Sequence, residues 1–131
     1  MDAPTRTGKK RVMNDLVELI PRHDRSVPIC ELRGELDASN VEAVHAALLD
    51  CVPNDVPGLV IDLTSTTYLD SAAVRILFDI ARRLQTRRQQ LRLVVPPEGV
   101  VRRVLVLTAL ADVVPVDREV DNAVRVLRER V

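Results

Sequence analysis

The chain reads as an α/β domain: a mixed sheet of four to five strands carrying four helices, packed mainly on one of its faces. Three observations carry this reading. Leu59 to Leu63 is apolar at every position except Asp62, which suits a strand covered on both faces. Directly downstream the apolar spacing changes to threes and fours, at Val74, Leu77, Phe78, Ala81 and Leu84, which marks one side of a helix. Short β-rich runs then alternate with helical segments in the order β-β-α-β-α-β-α-β-α. The later strands therefore run parallel, joined by right-handed crossovers whose helices share one main face.

Length and composition bound the rest. At 131 residues the chain fits one domain, read as residues 14–131 behind a flexible N-terminal tail, 1–13, with almost nothing to bury. With one Phe, one Tyr and no Trp, the core must be built from Val, Leu, Ile and Ala, and stacking on nucleic-acid bases has little to work with. Lys plus Arg number 19 and Asp plus Glu 19, so no net field draws the protein to nucleic acid or an anionic membrane. No window approaches a membrane-spanning length, and the start lacks the apolar core of a signal peptide, so the expected location is cytoplasmic. Cys30 and Cys51 have neither Cys-x-x-Cys spacing nor a clustered His, and read as small core residues without metal or redox chemistry.

Leu16, Val17, Leu19 and Ile20 predict a first strand that stops before Pro21, because proline removes a ladder donor. Arg22 to Ser26 then reads as a hairpin turn and Val27 to Arg33 as the second strand, with Gly34 as a point of bending or close backbone approach. Ser39 and Glu42 have capping-box spacing at the first helix start, and Val41, Val44, Leu48 and Cys51 or Val52 lie along its buried face. His45 lies just off that face and reads as a solvated or edge histidine. Leu91 to Val95 is a strand closed by Pro96-Pro97. Val100 to Leu110 has strand propensity, but the Val101, Val104, Leu105, Thr108 spacing favours a helix. Val113 to Val116 is expected as a short edge strand, and Val120, Ala123, Val124, Leu127 and Val131 line a final helix.

The stretch Leu59 to Val74 organises the chain, as a strand, a loop of small hydroxyl residues, and a helix start at Asp70-Ser71. Asp70 is placed to cap the helix by accepting from a free backbone N–H, which puts Ser71 in the first turn. A phosphate on Ser71 would meet free N–H donors at the positive end of the helix dipole. The local sequence leaves two readings open, since Ser71 also suits an alternative cap. Ile76 and Ile80 lie beside the main apolar row, as core residues or as contacts for a partner.

Asp70-Ser71, preceded by Val60-Ile61-Asp62-Leu63-Thr64 and by Leu32-Arg33-Gly34-Glu35-Leu36-Asp37, resembles the STAS domain and in particular the anti-sigma factor antagonists. The resemblance implies a STAS-like sheet-and-helix architecture and a serine, here Ser71, phosphorylated by a partner that is itself an anti-sigma factor with serine kinase activity. It implies that the unphosphorylated form binds the anti-sigma factor and releases the sigma factor, that phosphorylation switches this off, and that a phosphatase restores it. ATP and magnesium would belong to the kinase, so no cofactor is expected for this chain. Many antagonists carry Asp-Ser-Ser-Gly, whereas Ala72-Ala73 follow Ser71 here; helix formation does not suffer, and what changes is the surface offered to a kinase.

On this reading Asp37, carried over from the family's Gly-Glu-Leu-Asp stretch, flanks the docking surface together with Asp62 and Asp70. Helix geometry adds Ser39, Asn40 and Arg75, with Ile76 among the outer apolar residues. A second reading is a STAS scaffold or sensory module that binds without being phosphorylated. No nucleophile elbow, phosphate-binding Gly loop or paired His occurs, so an enzyme is not expected. The remaining catalytic alternative is a small hydrolase or transferase using Asp37, Asp62 and Asp70, should they converge.

Overall fold

The structure, a computed structural model, describes residues 6–7 and 9–130. In chain order its elements are β1 (Arg6–Thr7), β2 (Arg11–Val12), β3 (Val17–Asp24), β4 (Val27–Leu36), α1 (Val41–Asp50), β5 (Gly58–Asp62) and β6 (Thr66–Leu69). There follow α2 (Ser71–Thr86), β7 (Gln90–Val94), α3 (Val100–Leu107), α4 (Leu110–Val113), β8 (Val116–Asp117) and α5 (Val120–Glu129). The strands form one mixed sheet in the order β1-β3-β4-β5-β7-β8, with β2 also on β3 and β6 also on β4. β3 and β4 are antiparallel, from Val17↔Gly34 to Asp24↔Val27, while β4, β5, β7 and β8 run parallel. One edge of β4 is shared between two neighbours: Ile29 to Glu31 pair with β5, and Gly34 to Leu36 pair with β6. That division carries the chain from β5 to the start of α2.

Side-chain alternation splits the sheet into two faces. Leu19, Cys30, Leu32, Leu59, Ile61 and Leu93 point into the main core beneath α1, α2 and α3. Val27, Ile29, Val60 and Val94 point the other way, where Ala123, Val124 and Leu127 of α5 cover them. Each fully buried Leu or Ile contributes about 1.5–3 kcal/mol, so an aliphatic core suffices without large aromatic residues. The α/β class and the helix-bearing main face agree with the sequence reading, and the sheet gains three short strands and the fold one short helix that the pattern did not mark.

Several elements depart from expectation. The segment expected as a mobile tail contributes strand pairing at Arg6–Thr7 and Arg11–Val12; residues 1–5 and 8 lie outside those described. β3 starts after Leu16 and continues through Pro21 to Asp24, so the hairpin turn shrinks to Arg25-Ser26. Proline is tolerated because the outer strands pair only with Glu18, Leu19, Arg22 and His23, leaving Pro21 unopposed on that side among the described residues. β4 runs on to Leu36 past Gly34, where the register shifts. Gly34 has φ +115° and a Cβ there would sit 2.0 Å from the Leu16 carbonyl oxygen, so the close approach read from the sequence is real.

α1 begins at Val41 without the capping box: Asn40 is the cap position and, among the described residues, no side chain caps the helix. Ser39 instead turns its hydroxyl to Asp37. Val113 closes α4 rather than opening a strand, which is confined to Val116–Asp117. Val131 lies outside the described residues. His45 is not a solvated edge residue: its Nε2 lies 2.7 Å from Asp79 Oδ2, tying α1 to α2. Cys30 is buried and Cys51 half-buried, and their thiols hydrogen-bond; that bond, then burial, pushes the Cys30 thiol up, while the same bond draws Cys51 down.

Candidate functional site

Apolar periodicity builds α2 and a carboxylate starts it. Ala73, Val74, Leu77, Ile80 and Leu84 are buried, so the inward row is centred on Ile80, with Phe78 and Ala81 at its margin. Ile80 is therefore core; Ile76 is half-buried and packs against that core from its edge. Asp70 adopts an extended conformation and its Oδ1 accepts from the Ala73 N–H at 3.0 Å, the cap expected from the sequence. This cap is worth about 1 kcal/mol.

Because Asp70 fills the capping role, Ser71 does not. It is the first residue of α2, exposed, and its hydroxyl makes no hydrogen bond among the described residues. The Ser71 and Ala72 amides remain free of helical partners at the positive end of the dipole. Ala73 is 1% exposed, so its methyl is directed into the core and leaves the surface around Ser71 unchanged, while Ala72 is half-buried.

The neighbouring loop is anchored to the same place by strand pairing. β6 lies against the end of β4, Leu36 facing Leu69, and the Asp70 N–H donates to the Leu36 carbonyl at 3.2 Å. Asp37 follows directly. Its Oδ1 accepts from the Ser39 N–H at 2.9 Å and the Ser39 hydroxyl at 2.5 Å. Asn40 is 2% exposed and spent internally: its Oδ1 accepts from the Asp37 N–H at 3.1 Å, and its Nδ2 donates to the Glu35 carbonyl at 2.9 Å. Asn40 thus shapes the loop from within, and Ser39 and Asp37 form its accessible part.

Asp62 is placed elsewhere. It shares the sheet face of Val60, away from α2, is 6% exposed, and accepts from the Thr64 N–H at 3.0 Å and the Thr64 hydroxyl at 2.7 Å. Arg22 lies 3.9 Å from it and 3.7 Å from Glu31. Asp37, Asp62 and Asp70 therefore do not converge, which removes the geometry that acid/base chemistry between them requires. Among the described residues no cluster of His, Cys, Asp and Glu is placed to hold a metal ion.

Arg75 is exposed one helical turn beyond Ser71 and makes no side-chain hydrogen bond or ion pair among the described residues. Asp79, the next carboxylate along α2, is already engaged by His45, Arg82 and Arg83. Burial raises its pKa, but the interactions with Arg82, His45 and Arg83 outweigh burial and hold its carboxyl below the usual range. Two features escaped sequence reasoning. Tyr68, 43% exposed in β6, stands beside Glu35, and α3 packs next to β6 with Leu107 83% exposed. The lone Tyr in the run before Asp70 was the signal available for the first; the second depends on tertiary placement.

The fold is thus a mixed sheet with a parallel core whose strand ends present a side-chain-capped helix with an exposed serine in its first turn. The family model described as STAS domain matches residues 18–123, and the chain belongs to that family. Among solved structures it is similar to an anti-sigma factor antagonist from Mycobacterium paratuberculosis, with 24% identity, TM-score 0.77, and 98% and 99% of the two chains covered. It is also similar to the anti-sigma factor antagonist SpoIIAA in its unphosphorylated form, with 20% identity, TM-score 0.62, and 86% and 97% covered. The Bacillus cell fate determinant SpoIIAA in its phosphorylated form matches with 19% identity, TM-score 0.57, and 90% and 97% covered. No curated protein matches the chain. Among the described residues no helix is long and apolar enough to cross a membrane.

Proposed function

We propose that this chain is an anti-sigma factor antagonist, a non-catalytic binding protein of the cytoplasm. Its unphosphorylated form docks on an anti-sigma factor through the mouth of α2, and phosphorylation of Ser71 by that partner ends the interaction. The observation that carries this reading is the free, exposed Ser71 hydroxyl beside a cap supplied by Asp70. A phosphoserine adds close to two negative charges. Within the domain those charges meet free amides and the helix dipole, so the fold stands. A partner lying over the same surface meets a dianion next to Asp70 and Asp37, and repulsion with desolvation drives it off. Ser39, Arg75 and the exposed edge of Ile76 complete the docking surface, while Asn40 and Asp62 contribute by holding the loop and the far face in place. A phosphatase is then required to reset the switch.

Incubation with the cognate kinase-type anti-sigma factor and ATP tests this. The expected result is one added phosphate on the intact protein, absent in Ser71→Ala, with loss of the complex as phosphate accumulates. An unmodified wild type that stays bound regardless of ATP would instead support the scaffold reading, which Ala72 favours through the altered surface next to the serine.

A further inference from the structure

The two cysteines stand far apart in the sequence and meet in the fold. Cys30 lies on the core-facing side of β4, 0% exposed, between Pro21 of β3 and Ile61 of β5. Cys51 follows α1 directly, one turn beyond the buried Leu48, and packs half-buried against the core that contains Cys30. No disulfide joins them: both are free, and their thiols stand in hydrogen-bond contact. The contact is polarised. Cys30 keeps its proton and donates it to Cys51 Sγ; that bond, then burial, pushes the Cys30 thiol up. The same bond draws Cys51 down against its own burial, and the Arg11 guanidinium of β2 adds to the lowering while Asp50 opposes it. The pair thus divides into a thiol that solvent reaches and that ionises more readily, and a sealed thiol placed against it. Thiolate character and access set which cysteine oxidises first, and an adjacent second thiol decides what becomes of the product.

We propose that Cys51 is a peroxide-reactive modification site and that Cys30 resolves it as an intramolecular disulfide, fastening the end of α1 to β4. The Cys51 thiolate attacks one oxygen of hydrogen peroxide: an S–O bond forms, the O–O bond breaks, and the departing hydroxide takes a solvent proton to leave as water. The Cys30 sulfur then attacks Cys51 Sγ of the sulfenic acid. An S–S bond forms, the S–O bond breaks, and the departing hydroxide takes the Cys30 proton as a second water. Two thiols give up two electrons in all, and one peroxide is reduced to two waters. Bonding requires the sulfurs to close from contact to about 2.05 Å. Cys51 is tied through its N–H to the Leu48 carbonyl at 3.1 Å in the last turn of α1, so the adjustment falls on a helix end and not on the sheet. The loop of Asp37 and Ser39 precedes the other end of α1, so the link closes away from the helix mouth.

The whole reduced chain treated with hydrogen peroxide, followed by maleimide counting of thiols under denaturing conditions and by peptide mapping, tests the site. Both thiols should be lost together, with the Cys30 and Cys51 peptides joined, the protein still monomeric, and both thiols restored by dithiothreitol. The linked form should show a higher urea midpoint than the reduced one, because the crosslink restricts the unfolded chain. Cys51→Ser should leave Cys30 unreactive toward peroxide in the native protein, since burial bars the reagent. Cys30→Ser should stop at the sulfenic acid, captured at Cys51 by dimedone; if that variant fails to fold, the wild-type peptide map and Cys51→Ser decide. Thiols that survive peroxide, oxidation of Cys51 to sulfinic acid without the link, a link formed only between two copies, a lowered urea midpoint on linking, or a Cys30 that reacts as fast in Cys51→Ser as in the wild type would each overturn the proposal. None of these readouts involves Ser71 or a partner, so the result is independent of the phosphorylation switch.

Discussion

The two ends of the sheet's polar chemistry behave in opposite ways. On the α5 face, carboxylates are buried and reach partners distant in sequence: Arg92 meets Asp117 through two bonds of 2.8 and 3.1 Å, and Asp62, bonded locally by Thr64, also lies 3.9 Å from Arg22. At the mouth of α2, Asp70 is used within three residues of itself and Ser71 is left without a partner among the described residues. A group locked by long-range pairs is part of what holds the fold. A group whose surroundings are satisfied without it can acquire charge while the fold stays intact. This difference is why the proposed switch is placed at the helix mouth and not on the far face.

Breaking the far face should cost most. Asp117→Ala leaves Arg92, 13% exposed at its side chain, without its carboxylate, and also strips a bond from Asn122. A loss of about 3–5 kcal/mol is expected, read as a lowered urea midpoint. Asp62→Asn keeps the shape but weakens the hold on Thr64 and Arg22, for an expected loss of about 1–3 kcal/mol, with binding to the anti-sigma factor unchanged. A loss of binding with full stability would move Asp62 back into the docking surface.

At the helix mouth the order of effects reverses. Asp70→Ala should cost about 1 kcal/mol through the lost cap. Ser71→Asp should change stability by less than about 0.5 kcal/mol, as expected for an exposed site, while weakening partner binding at least about tenfold in calorimetry. Should Ser71→Asp unfold the protein, the contrast between the two regions fails. The smallest effect concerns Asp79. Its folded pKa is depressed, so its stabilising contribution is complete above its unfolded pKa of about 4 and is lost as pH falls through the lower folded value. Acid titration of Asp79→Asn should accordingly show a shallower loss of stability below about pH 4 than the wild type.

Local patterns made α2 legible from end to end, along with its Asp70 cap, the apolar row of α5 and the special role of Gly34. Each rests on interactions within a few residues or on a steric limit of the backbone. Ser39 illustrates where local reasoning stops. It has capping-box spacing to Glu42, yet Asp37 and Asn14 engage its hydroxyl, and Asn14 arrives from twenty-five residues upstream. Pro21 marks a strand end by local reasoning because a proline cannot serve a ladder on both sides. Only the placement of the outer strands reveals that, among the described residues, none pairs with Pro21 on that side.

The amino-acid sequence by itself determined the class of fold, the identity of the central strand, and a serine in the first turn of a capped helix. Hydrophobic period and capping chemistry act over one or two turns, and both are written in consecutive residues. Tertiary structure decided that Asp37 stands beside Asp70 while Asp62 faces away, because strand pairing and side-chain alternation assign each carboxylate to a face. It also decided that Asn40 is internal and that His45 bridges two helices. Those outcomes depend on which distant segments meet, and no local spacing encodes that meeting.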